Sequence, residues 1–159
     1  MYPLQKEIKF NNSELLFTTK VLSSKDGYFI PNFSGFAFEL LVSSFLENYE
    51  WRESKIFSKL HLINPSYEVG CYWEDQASQI DIVVSHNADR ETRLIECKWL
   101  NQGATLGENT LQEILEKPYP NSQGHHLSHF LMSSKEYSPA FKKMAASKRI
   151  GLLELKDLF

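Results

Sequence analysis

Cysteine is scarce in this chain: Cys71 and Cys97 are the two present among 159 residues. They are too few and too far apart for a disulfide framework or a zinc-type spacing. Both fall in apparent strands, so the expectation is reduced core thiols in a cytoplasmic protein. No apolar run approaches the roughly 20 residues needed to span a membrane. Met1 to Phe10 lacks the basic start and apolar stretch of a secretory signal. There is no GxxxxGK[ST] loop, so the chain carries no P-loop ATPase of its own. Positive charge is short as well: 17 Lys and Arg against 20 Asp and Glu give a net charge of -3. That counts against a nucleic-acid partner, because phosphate binding normally leaves a basic footprint, although a local basic face can coexist with a negative total. Repeats and low-complexity tracts are missing too. What remains, with 42% hydrophobic residues, is enough for one core and too little for two.

The informative stretch is Gln79 to Trp99, QIDIVVSHNADRETRLIECKW. Val, Ile and alternating polarity mark two strands, and the Asn-, Asp- and Ser-rich SHNADRET marks a reversal between them. Residues two apart in a strand share a face, so Glu96 and Lys98 lie together, opposite Ile95, Cys97 and Trp99. Paired as a hairpin, the strands bring Asp81 beside Glu96. An ordinary solvated edge pair would contribute little to stability. Yet IDIVV and LIECKWL are apolar around the charges, as interior strands are, and buried charge is costly unless paired or metal-bound.

Elsewhere, LLFTTKVL, SSKDG and YFI read as a hairpin with Asp26-Gly27 at its turn. A helix is predicted over Phe36–Tyr49, with Phe38, Leu41, Val42 and Phe45 as its apolar stripe and Glu39 on another. Trp51 to Asn64 is ambiguous between a helix and an irregular crossing. Tyr67, Val69, Cys71 and Trp73 alternate as a strand, and EDQAS turns the chain towards Asp81. Asn109–Lys117 is a helix stopped by Pro118, His129–Met132 a strand, Pro139–Lys148 a helix opened by proline, and Ile150–Leu155 a last strand. The order suits an α/β domain with a central mixed sheet flanked by helices.

Asp81, fourteen intervening residues, then Glu96-Cys97-Lys98 resembles the PD-(D/E)xK phosphodiesterase superfamily, the restriction-endonuclease-like fold. Ile80 stands where that motif commonly has proline. GFAFE at Gly35 to Glu39, QID at Gln79 to Asp81, ECKW, and the ending Leu155-Lys156-Asp157-Leu158-Phe159 are similar to one branch, the domain at the C-terminus of prokaryotic AAA-type ATPases. The resemblance covers Pro31 to Phe159 and divides the chain into a hairpin-like extension, 1–30, and a nuclease-like domain, 31–159. It implies Mg²⁺ or Mn²⁺ held by Asp81, Glu96 and the backbone carbonyl of Cys97. Such a cation neutralises phosphate and activates a water. Lys98 would orient or deprotonate that water and stabilise developing charge. Glu39 would reach in as an outer or second-metal ligand, or else is a solvated helix residue. Gln79, on the face of Asp81, would contact substrate or simply bond within the sheet.

The expected partner is nucleic acid, DNA in the first instance, with an ATPase or other protein partner and a homodimer also compatible with the resemblance. The alternative function is an inactive nuclease-fold module used for interaction or regulation. His125, His126 and His129 read as a surface loop cluster rather than a zinc set. Lys135, Lys142, Lys143, Lys148 and Arg149 read as a wet helix face, and Trp73 and Trp99 as core rather than as base-stacking residues.

Overall fold

The computed structural model describes residues 30–48, 50, 52–62, 65–74 and 78–159. The predicted hairpin ending in YFI, and with it the 1–30 extension, lies outside them except for Ile30, which opens a helix, and the middle of the EDQAS turn lies outside them too. The elements run α1 (Ile30–Glu47), α2 (Lys55–Lys59), β1 (Tyr67–Tyr72), β2 (Ile80–His86), β3 (Glu91–Lys98), α3 (Glu108–Glu116), β4 (His126–Ser133), α4 (Pro139–Ser147) and β5 (Ile150–Glu154). A 3₁₀ turn, Leu155–Asp157, follows.

One five-stranded sheet has the order β1-β2-β3-β4-β5. The first three strands form an antiparallel meander, and β4 and β5 add in parallel after helical crossovers. The sheet is therefore mixed and flanked by helices, an α/β architecture in which β3 is central. On one face Phe38, Val42, Phe45 and Leu46 of α1 and Ile56 and Phe57 of α2 pack on Ile82, Val84, Ile95, Cys97, Met132 and Leu153. On the other, Leu111 and Ile114 of α3 and Phe141 and Ala145 of α4 cover Leu131 and Ile150. Alternation along β3 divides its side chains between the two layers.

Several boundaries differ from those the sequence suggests. α1 begins at Ile30, six residues before Phe36, and carries Gly35 within it. Proline in a first turn costs a helix no hydrogen bond, and burial of the Phe38 stripe overrides a glycine penalty of about 1 kcal/mol. β4 starts at His126, not His129, because its pairing with β3 begins at Glu91. The histidines are thus not a loop cluster: His125 is buried with Nδ1 3.1 Å from the Thr92 hydroxyl, while His126 opens the strand exposed.

The closing Leu155–Asp157 is a turn rather than strand. Asp157 Oδ2 accepts from the Glu154 backbone at 2.7 Å and from Lys59 Nζ at 2.6 Å, and Leu158 drops into the core. Trp73 and Trp99, each one residue past the end of its strand, are 60% and 39% exposed, and the Trp99 ring still meets the core residue Phe38 edge-on at 5.7 Å. In the late basic segment Lys142 pairs with Glu154 and Lys148 with Glu108, so part of that face is bound to the fold.

Candidate active site

The geometry of the site starts from an irregularity. Along β1–β2 the register runs Tyr67↔His86 to Gly70↔Val83 and then shifts, resuming at Tyr72↔Ile80. Two residues of β2, Asp81 and Ile82, thereby face one of β1, Cys71. Such a bulge bends its strand and re-aims a side chain. Ile80 and Val83 lie together in one apolar cluster and Ile82 in the other, as a break in strict alternation requires.

The bulge turns Asp81 towards the end of β3. Its Oδ2 accepts the backbone N–H of Cys97 at 2.8 Å, and its Oδ1 takes a longer bond from Gln79 Nε2 at 3.4 Å. Glu96, 7% exposed, is gripped by two ammonium groups. Lys98 Nζ donates to Oε1 at 2.9 Å, and Lys117, which closes α3, donates to Oε2. Glu39 stands on α1, half-buried, within the field of all four charged groups.

The electrostatics follow from crowding. Burial first, then the Asp81 and Glu96 charges, push the Glu39 carboxyl up to about 7. Asp81 is raised to about 6, by burial and then by Glu96, against the pull of the Cys97 N–H and the two lysines. Burial disfavours the Lys98 ammonium, but Glu96 more than offsets this and holds it above the usual lysine value. Strongly shifted carboxyls in one place are a frequent mark of functional sites. The Cys97 side chain belongs to the core and burial drives its thiol far up, so only its backbone faces the site. Cys71, beside the bulge, is also raised, by burial and then by Glu39 and Asp81.

Among the described residues, no three His, Cys, Asp or Glu side chains form a ready metal cage. Glu96 spends its oxygens on lysines instead. The structure therefore brings Glu39, Asp81, Glu96 and Lys98 into one electrostatic neighbourhood, with Gln79 on its exposed rim. Sequence reasoning missed Lys117, for which the only signal was its place before a helix-ending proline. It also missed a groove lined by Ile80, Leu94, Glu96, Ile114, Lys117 and His129. Burial lowers the His129 imidazole there, which keeps it neutral near pH 7.

No curated protein matches the chain. Two solved structures are similar to it. One is a crystal structure of a protein of unknown function, AF1548, at 18% identity and TM-score 0.45, covering 67% of this chain and 58% of the other. The second is the MspJI restriction endonuclease in complex with a 27-mer oligonucleotide, at 10% identity and TM-score 0.48, covering 96% of this chain and 31% of that one. The chain thus spans less than two thirds of either. A family model matches residues 1–114, and on that match the chain belongs to DUF234, archaeal and bacterial proteins of unknown function.

Proposed function

We propose that the chain is a phosphodiesterase of the PD-(D/E)xK type, acting on DNA with Mg²⁺ or Mn²⁺. The observation that carries the reading is the β2 bulge, which aims Asp81 at the backbone between Glu96 and Lys98, where its carboxyl and that of Glu39 are both raised by burial and by neighbouring charge. Among the described residues no three such side chains stand ready as a cage, so a divalent cation would have to draw the carboxylate oxygens together, relieving their mutual repulsion. Asp81, Glu96, Glu39 and the Cys97 carbonyl would hold it. When bound, it supplies charge neutralisation and a water acidic enough to attack phosphate at neutral pH.

This chain's own residues do the rest. Asp81 is fixed by the Cys97 N–H, so its second oxygen, which takes only the long bond from Gln79, has a set direction. Lys98, held cationic by Glu96, places a positive charge where phosphoryl oxygens gain negative charge. Gln79 lies on the exposed side of Asp81, where a hydrogen bond to substrate is open to it.

A second reading has its own observation. Glu96 is satisfied by Lys98 and Lys117 without any cation, which is how an inactive nuclease-fold module serving an ATPase or another protein would look. Plasmid nicking in Mn²⁺ decides between them. Nicking by the parent and none by Asp81→Asn supports the enzyme. A parent inert on supercoiled, linear and single-stranded DNA, with a melting point indifferent to Mn²⁺, refutes it.

A further inference from the structure

Among the described residues the exposed large apolar side chains are Phe36, Trp73, Trp99, Leu115 and Phe159. The first three gather at one end of the sheet. Trp73 follows the last residue of β1, and the Tyr72↔Ile80 pair sets it level with Gln79. Trp99 follows Lys98, the last residue of β3, and Asp81 of β2 bonds to Cys97 just before it. Contacts near its two ends orient α1: its Leu46 carbonyl accepts the Tyr67 hydroxyl at the start of β1, and its Phe38 meets Trp99 at the end of β3. The start of α1 therefore lies at the site, and Phe36, 51% exposed, stands there three residues ahead of Glu39, close to it on the helix surface.

Two strand spacings, roughly 10 Å, separate the Trp73 and Trp99 backbones. Between them runs the strand that carries Asp81. Exposed aromatics collected in one place and rimmed by charge mark a surface that meets a partner. The rim has its cations on the β3–β4 side. Lys98 stands beside Trp99, and the exposed Lys135 donates from Nζ to the Asn101 carbonyl, two residues past Trp99, at 2.8 Å. Glu74, next to Trp73, is turned to the Tyr72 hydroxyl at 3.0 Å, so the acidic side of the rim is the β1 side.

We propose that Trp73 and Trp99, with Phe36 beside them, form a stacking platform for unpaired bases, and that the site takes single-stranded DNA in preference to an intact duplex. Aromatic faces hold bases of any identity while ammonium groups follow the backbone. A duplex hides its base faces in its own stack and has none to offer an indole. Trp99 is braced edge-on by Phe38, so little freedom remains to be lost when a base lands on it. Phosphates would track the Lys98 and Lys135 side. The inference deepens the phosphodiesterase reading by naming its substrate, and rests on that reading for the chemistry alone.

The test is fluorescence anisotropy in EDTA at low salt, with a labelled oligothymidylate strand and the same strand paired to oligoadenylate. The parent should hold the single strand roughly 10-fold or more tighter than the duplex. Trp73→Ala should weaken single-strand binding by roughly 5- to 100-fold, the loss of one base stack. Trp73→Leu keeps apolar bulk without an aromatic face and should lose as much. Leu115→Ala, exposed on α3, should bind like the parent. Trp99→Ala should behave as Trp73→Ala does, and if it fails to fold, Trp99→Tyr against Trp99→Leu makes the same comparison.

Equal affinity for strand and duplex, or Trp73→Leu binding like the parent, overturns the platform. A parent that binds neither DNA overturns it too, and leaves the rim to a protein partner. EDTA removes metal-dependent hydrolysis but not stacking, so the two readings fail separately. A parent that holds single strands through its tryptophans yet never cleaves them in Mn²⁺ keeps the platform and refutes the phosphodiesterase. Cleavage of duplex without preference for single strands does the reverse.

Discussion

Asp81 accepts the backbone N–H of Cys97 at 2.8 Å, so the carboxylate of one strand is fastened to the residue between Glu96 and Lys98 on the next. The bond couples two functions in one side chain. One oxygen holds the geometry, and the other carries only the long bond from Gln79 at 3.4 Å.

Substitution at Asp81 should separate these functions. Asparagine keeps an oxygen for the Cys97 N–H but loses the charge. Asp81→Asn should fold like the parent and lose Mn²⁺ stabilisation, which stems from binding to the folded state alone. Asp81→Ala should additionally lose about 1 kcal/mol for the unpaired N–H. Denaturant melts with and without Mn²⁺ measure both.

Lys98→Ala should lower the nicking rate by roughly 10²–10³ while leaving Mn²⁺ affinity within a few-fold, because a charge acting in the transition state is lost from rate more than from binding. The paired measurement is nicking rate at saturating metal and Mn²⁺ affinity from a separate titration. A variant that only melts earlier, from a parent without activity, favours the interaction module.

Stability should fall as pH rises across the site's carboxyls. Glu39 titrates from 4.5 in the unfolded chain to about 7 when folded, and Asp81 from 3.8 to about 6. Between those values the folded chain binds more protons than the unfolded one, so unfolding free energy decreases with pH. The contribution is whole below about pH 4 and gone above about 7. Glu39→Gln should flatten the slope between pH 4.5 and 7 in metal-free urea melts. Mn²⁺ stabilisation should run the other way, growing as pH passes 6 to 7 and the ligands lose their protons.

Gly151 pairs with Phe130 across β4–β5, and a Cβ at Gly151 would come within 2.3 Å of that ring. Gly151→Ala should force the ring off its seat and cost about 1–3 kcal/mol, as overpacking does, without changing Mn²⁺ affinity. Chemical denaturation beside Mn²⁺ titration checks both halves.

The mixed sheet was legible because its strands announce themselves locally. Ile82, Val84, Ile95 and Cys97 alternate as the sheet requires, and the Phe38 stripe fits the face they make. Hidden from the sequence was whatever depends on a partner distant in the chain. The bulge at Asp81 is a property of the β1–β2 pair and leaves no mark in IDIVV. Lys117 meets Glu96 only because α3 crosses the sheet there. Arg93, inside the apolar run, is 1% exposed, its Nε on the Leu60 carbonyl at 2.6 Å and its Nη2 near Asp89 and Glu91. Trp73 was misread for a simpler reason: alternation fixes a face only while the strand lasts, and Trp99, also past its strand, is core only on the side that meets Phe38.

β3 has two unlike neighbours, and this bears on how the chain folds. Its β2 edge closes a hairpin over a four-residue turn, whereas its β4 edge must wait for α3 and the crossover behind it. Local pairings form early and distant ones late. Glu96 and Lys98 therefore sit on a strand that, midway through folding or synthesis, presents a bare row of backbone donors and acceptors open to other chains. Pulse-labelled hydrogen exchange should show β1 and β2 gaining protection before β4 and β5. A fragment ending near residue 114, where the family match stops, should associate through the stranded edge of β3.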